Sequence, residues 1–381
     1  MSAPRRILHV IDSLDLGGAQ TFLLDLVSHH DRTRFIPEVA VMHGTGVYTK
    51  AFEDIGVPVH SLSPGRFPPF YIPNFWKLMK GGDYDLLHFH LFGANLCAKP
   101  LAIMSGHPAI VVHDQCNDAS RDQNPLLLAA DAFWNQKSHR IIAVSESTRR
   151  YLLSHEDLDD ASVVTISNGI DTERFRPAIG GQCKSARSEL EIPADAFVIG
   201  GVGRLVSQKN FLLFLKVASN ILKKYPEIRF AIAGTGPLDT ILRAEAENLG
   251  ISSRILFLGH VSNRQSLYHA LDILMITSDF EGTPMTLLEA MASGIPVVAS
   301  AVDGISEVCS DGVDSLLARP GDSISFEQSL SRIIRDQALR DDFSSAGRRT
   351  ILERYDIKGI TERVERVYDD LLWMRESEFG R

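Results

Sequence analysis

Glu281 and Glu289, with seven residues between them, interrupt the mostly apolar stretch ILMITSDFEGTPMTLLEAMASGIPVVAS, residues 273–300. Glu289 shares its helix with Met285, Leu287, Leu288, Ala290, Met291 and Ala292, and a helix apolar on nearly every side is usually buried. A carboxylate there is costly unless something donates hydrogen bonds to it. Two readings meet that demand: the hydroxyls of a ligand donate to Glu289, or Glu289 faces solvent or meets a core arginine. Glu281 lies in the loop just ahead of the helix, where the free N–H groups of the first turn and the helix dipole would draw an anion. Arg204 and Lys209 stand five residues apart on another loop. A guanidinium fork and an ammonium so placed can grip a diphosphate, or can be ordinary surface charges.

Histidines form the other chemical set. Asp85 to His90 reads DLLHFH, a strand with His88 and His90 on one face. Two histidines at that spacing can bind a metal, but no third ligand stands near them in the sequence. Core or cleft-rim histidines are therefore expected, and no metal site. His113 follows the strand Ala109 to Val112, at the carboxyl end where open α/β sheets bind ligands.

The elements that must position these groups alternate strand and helix, which argues for parallel sheets covered on both faces. Ile7 to Ile11 is the first strand, and Gly17-Gly18 marks the turn into its helix. Glycines there let backbone approach a ligand, or simply make a tight turn; the GxGxxG of a dinucleotide-binding dehydrogenase is absent. Ser145-Glu146-Ser147-Thr148-Arg149 reads as an N-cap and first turn. The second half restarts with the strand Phe197 to Val202, then Phe230 to Ala233 ending in Gly234, then Ile255 to Leu258 ahead of Val261. Ile273 to Ile276 and Ile295 to Ala299 are short buried strands flanking a helix from Pro284 to about Ser293, stopped by Gly294.

The EGxP opening, the two glutamates and the EAMAxGxPVVA ending make residues 273–300 resemble the signature of the retaining glycosyltransferases of family 4. Thr283 stands where that family commonly has a bulkier apolar residue. GGAQ at 17–20, His113, NGID at 168–171 and GRL followed by Lys209 resemble further motifs of the same family. Asp303 departs from its usual GGxxE. The resemblance implies an α/β fold of two facing Rossmann-like domains, the glycosyltransferase B architecture. It implies an acceptor-side domain over 1–172, a donor-binding domain over 173–358, and a helix at 359–381 returning to the first domain. It assigns Arg204 and Lys209 to the donor phosphates, Glu289 to ribose hydroxyls, and Glu281 with His113 to the transferred sugar. Gly17, Gly18, Gly234, Val261, Gly282, Thr283, Pro284 and Met285 would line the donor, and Arg149 would lie on the acceptor side. Transfer of a hexose from a nucleotide-diphosphate sugar, uridine-based ahead of guanosine-based, follows, without a cofactor or catalytic metal. An epimerase on the same architecture and a non-catalytic nucleotide-sugar binder are the alternatives.

Composition bounds the rest. A chain of 381 residues is long for one core and predicts two domains, with the crossing near 172–192. A net charge of −9 argues against nucleic acid as a partner. No stretch has the ~18 apolar residues that span a bilayer, and the opening residues read as a first strand and not as a signal peptide. Cys97, Cys116, Cys183 and Cys309 lack metal or redox spacing and read as reduced thiols of a cytoplasmic protein. Residues 63–82, dense in proline and aromatics, are either an ordered connection or a loop that touches a membrane surface and its lipid-linked acceptor, which would put the protein peripherally on the inner face of the plasma membrane.

Overall fold

The computed structural model describes residues 3–63, 71–107, 109–115 and 124–379. The chain divides into two compact units, residues 1–169 with 357–381, and residues 170–356.

In the first unit seven parallel strands stand in the order β3-β2-β1-β4-β5-β6-β7. They are β1 Arg5–Ile11, β2 Phe35–Val41, β3 Val59–Ser61, β4 Leu86–His90, β5 Ile110–Asp114, β6 Arg140–Ala143 and β7 Val163–Thr165. Central strands are apolar almost without break because helices cover both faces: Ile7, Leu8, Val10 and Ile11 of β1, and Leu86, Leu87 and Phe89 of β4, are fully buried. β2 departs from that pattern. Pro37, opposite Ile7 on β1, forfeits a ladder donor, and Glu38 follows it.

The closing helix, Ile357–Phe379, belongs to this first unit and packs on the helix Gly18–His29. Ile357, Ile360, Val364, Tyr368 and Leu371 are its buried face. Trp373, further along the helix, is 69% exposed. Glu365 anchors the helix, with one carboxylate oxygen 2.9 Å from His30 Nδ1 and 2.8 Å from the Asp31 amide.

The second unit holds six parallel strands in the order β10-β9-β8-β11-β12-β13. They are β8 Val198–Val202, β9 Arg229–Ala233, β10 Ile255–Gly259, β11 Ile273–Ile276, β12 Val297–Ser300 and β13 Leu316–Ala318. Its core gathers Phe214, Phe230, Leu215, Ile221 and Ile273. Each sheet is the doubly wound arrangement, and each reverses strand order at its centre, between β1 and β4 in one and between β8 and β11 in the other.

The expected crossings stand at 172 and 359; the compact units meet at Gly169–Ile170, where the Ile170 amide donates to the Tyr355 carbonyl at 2.9 Å, and at Asp356–Ile357. Within residues 172–192, Gln182–Glu189 is a helix of the second unit, with Arg187 2.8 Å from Asp272. Of residues 63–82, the helix Tyr71–Gly81 is described, with Tyr71, Phe75 and Met79 buried and Trp76 42% exposed; residues 64–70 lie outside the described residues, as does Cys116. Cys97, Cys183 and Cys309 are free thiols. No helix among the described residues is long and apolar enough to cross a membrane.

Candidate functional site

The second sheet reverses between β8 and β11, and the loops after these two strands stand at their carboxyl ends, where open α/β sheets bind ligands. The sequence-predicted residues of this unit gather there. After β8, Gly203 takes φ +157, and a Cβ on it would touch the stem of Lys209 at 3.6 Å. Arg204 is exposed, and its guanidinium has no ion-pair partner among the described residues. Ser207–Lys209 makes one 3₁₀ turn before Asn210, whose side chain caps the helix Phe211–Lys224 through the Leu213 amide at 3.2 Å.

The loop after β11 is laced to that turn. Thr277 Oγ1 lies 3.0 Å from the carbonyls of both Lys209 and Asn210. The Asp279 amide donates to the Gln208 carbonyl at 2.9 Å, and Gln208 Nε2 donates to the Phe280 carbonyl at 3.0 Å. These bonds fix Glu281, which is 6% exposed. One of its carboxylate oxygens accepts from Lys209 Nζ at 2.5 Å and from Ser278 Oγ at 2.6 Å. Lys209 is therefore partnered with an acid and not a free cation like Arg204. Gly304 packs against the same loop so closely that a Cβ there would lie 1.5 Å from the Gly282 carbonyl oxygen.

Pro284 is the N-cap and not the first helical residue; the helix runs Met285–Ala292. Gly294, at φ +71, and Ile295 turn their amides back to Met291 and Ala290 at 3.0 and 2.9 Å and close it. Gly282, Thr283, Pro284 and Met285 are all buried at its amino end.

Glu289 is fully buried on that helix. Its Oε2 accepts from the Tyr268 hydroxyl at 2.7 Å and from the Arg264 guanidinium, so the core-arginine reading holds for this oxygen. Oε1 is buried with no hydrogen-bond partner. Burial pushes the Glu289 carboxyl above its usual range, opposed chiefly by Arg264 and the Tyr268 hydroxyl. Burial and the neighbouring carboxylate push Tyr268 well up, so it stays a donor. Arg264 and Tyr268 went unread in the sequence, since they lie on the helix Arg264–His269, remote in sequence from the acid they hold.

The neighbouring loops share a rim. The Gly234 amide donates to the Gly259 carbonyl at 2.7 Å, and a Cβ on Gly234, which has φ +145, would lie 1.9 Å from the Gly203 carbonyl oxygen. Val261, half-buried, follows β10 on the way to Arg264.

In the first unit the glycines also sit at the reversal point, after β1. Gly17 is the extended N-cap of its helix, and Gln20 folds back to where a Cβ would be, its Oε1 at 2.2 Å. Gly18 is exposed. Asp12, to which the sequence reading gave no role, directly follows the same strand. It accepts from the Gly93 amide at 3.2 Å, and burial raises its carboxyl to about 6. His113 is fully buried, its ring edge-on to Phe22 and stacked with His88, and neither ring nitrogen has a partner. Burial takes it down to about 3, so it is a neutral imidazole. Arg149 is engaged locally, with Asp160 at 2.6 Å and the Val163 carbonyl at 3.3 Å.

The chain is similar to known glycosyltransferases. The family described as glycosyl transferases group 1 matches residues 184–350, and glycosyltransferase family 4 matches residues 16–174. The chain is 27% identical to the UDP-Gal:alpha-D-GlcNAc-diphosphoundecaprenol alpha-1,3-galactosyltransferase of Escherichia coli, over 78% of this chain and 79% of that protein. It is 26% identical to the putative glycosyltransferase EpsF of Bacillus subtilis, over 82% and 83%. Its fold matches that of Anabaena HepE, solved in complex with UDP and glucose, with a TM-score of 0.85, 20% identity, and coverage of 96% and 100%.

Proposed function

We propose, from the premise that the chain belongs to the group 1/family 4 glycosyltransferases of the glycosyltransferase B fold, that it moves a hexose from a uridine-diphosphate sugar to a glycan, lipid-linked or small-molecule acceptor with retention at the anomeric carbon. The observation that carries this reading is the buried Glu289. Its Oε2 is taken by Arg264 and Tyr268, and its Oε1 is left without a protein partner. An unmet carboxylate oxygen is expensive, and ribose hydroxyls are donors that would satisfy it. The names of the relatives favour uridine and a polysaccharide or glycoconjugate product: one acts on UDP-galactose and a diphosphoundecaprenol-linked acceptor, and the HepE structures hold UDP and UDP-glucose.

The chemistry follows from the groups around Glu281. The bond from the sugar's anomeric carbon to the β-phosphate breaks, and negative charge grows on the departing oxygen. Arg204 and the backbone N–H groups ahead of Met285 stabilise it. Lys209, held by Glu281, lends a shared positive charge while the carboxylate and Ser278 fix its place. The acceptor hydroxyl bonds to the same face of the anomeric carbon, and its proton passes to the departing phosphate. The family resemblance assigns Gly17 and Gly18, after the first strand of the first unit, to the donor, and His113 to the transferred sugar.

The reading is tested by incubating the chain with UDP-hexoses and candidate acceptors and following UDP and the product anomer by NMR. Release of UDP only with acceptor, and an α-product from an α-donor, is expected. Conversion of the donor alone, or inversion, would overturn it.

A further inference from the structure

We propose that His9, His88 and His90 form a buried three-nitrogen site for a divalent transition ion, with zinc the ion its chemistry suits best. His9 on β1 pairs directly with His88 on β4, and His90 lies two residues further along β4. Side chains two apart on a strand share a face, so all three imidazoles stand on one side of the sheet. One nitrogen from each lies within 4.8 Å of the other two. Zinc–imidazole bonds of about 2.0–2.1 Å put tetrahedral ligand atoms about 3.4 Å apart, so side-chain adjustments of about an ångström complete the site.

The hydrogen bonding points the same way. All three rings are fully buried, and His9 Nε2, His88 Nε2 and His90 Nδ1 have no partner. Buried polar atoms are normally satisfied, and three orphans in one cluster are a demand that an ion meets. His88 Nδ1 lies 2.6 Å from the Tyr368 hydroxyl, a contact that fixes the ring and leaves Nε2 to ligate. His9 Nδ1 and His90 Nε2 share one hydrogen bond at 3.0 Å, so each ring keeps a second nitrogen. His113 stacks beside the cluster, its ring 5.4 Å from that of His88 and 5.6 Å from that of His90, with both nitrogens free of partners.

Imidazole favours zinc, copper, nickel or iron over calcium or magnesium. The only carboxylate that reaches this side of the cluster among the contacts described is that of Glu365, through His30, whose ring is 5.7 Å from that of His9. Because the rings are covered completely, the ion would enter as the chain folds. It would then tie β1 to β4 beneath the closing helix that carries Tyr368. The third ligand eluded the sequence reading because β1 and β4 are neighbours only in the folded sheet.

The test uses the full-length chain without a polyhistidine tag, expressed in medium supplied with zinc and separately with cobalt in its place. Expected are roughly one ion per chain by elemental mass spectrometry and, for cobalt, the visible bands of a low-coordinate imidazole complex. His9→Gln and His90→Gln should each lower the metal content at least about tenfold, while His155→Gln, at an exposed position, leaves it unchanged. The wild-type unfolding temperature should be higher for the zinc-grown chain than for one grown in chelated medium. A folded wild type free of metal from both media overturns the proposal, as does cobalt bound with an octahedral spectrum or lost in His155→Gln. Should the two histidine variants fail to fold, the wild-type content and spectrum still decide.

Discussion

Two acids one helix apart are held in opposite ways, and their substitutions should behave differently. Glu281 sits between Lys209 and Ser278, so Glu281→Gln keeps the shape and removes the charge that fixes Lys209. Turnover should fall by ~10²-fold or more with little change in unfolding temperature; an unchanged rate in steady-state assays would remove Glu281 from the reaction. Glu289 has one oxygen committed to Arg264 and Tyr268. Arg264→Ala leaves a buried carboxylate short of its cation and should destabilise the fold by about 3 kcal/mol. Because the two side chains touch, the double variant Arg264→Ala with Glu289→Gln should cost less than the sum of the singles, a difference that chemical denaturation can read. Asp12 gives the pH signature. Its folded value of about 6 lies above the ordinary 3.8, so the folded state keeps a proton that the unfolded chain releases. The stabilisation this brings is complete below about pH 4 and is lost as pH rises through about 6. Asp12→Asn should therefore be more stable than wild type at pH 8, with the gap closing toward pH 4 in denaturant titrations.

The elements that carry the site were mostly visible in the sequence, and the reasons are physical. β8, β9 and β11 are buried on both faces and so read as plain apolar runs. β2 was hidden by Pro37 and Glu38, and β3 and β13, three residues each, are too short to show a period. The loop signature marked Glu281 in the sequence, but the partners of Glu289 come from another helix, and no spacing along the chain encodes that meeting. The histidine pair on β4 was read without its neighbour for the same reason, since strand order is set by tertiary packing. The crossing was read near 172–192 because that stretch is polar, and composition reports solvent exposure and not the helix Gln182–Glu189 within it. Close backbone contact is equally illegible. Gly304 admits no side chain beside Gly282, so Gly304→Ala should push the Glu281 loop aside. We expect a loss of about 1–3 kcal/mol and a raised KM for the donor; a variant with native stability and kinetics would show that the loop yields freely.

Across the whole molecule, the first unit is built from both ends of the chain and the second from one continuous run. Five buried side chains of the closing helix, Ile357, Ile360, Val364, Tyr368 and Leu371, are worth on the order of 10 kcal/mol at about 1.5–3 kcal/mol each, comparable with the whole stability of a domain. A chain cut after Asp356 should keep the second unit folded and lose the cooperative unfolding of the first, which hydrogen exchange resolved by segment would reveal. Protection retained throughout residues 3–169 would contradict it. The same layout governs birth on the ribosome. Residues 170–356 can settle as soon as they emerge, while residues 3–169 must wait, half-clothed and in need of shelter, until residues 357–379 supply their missing side.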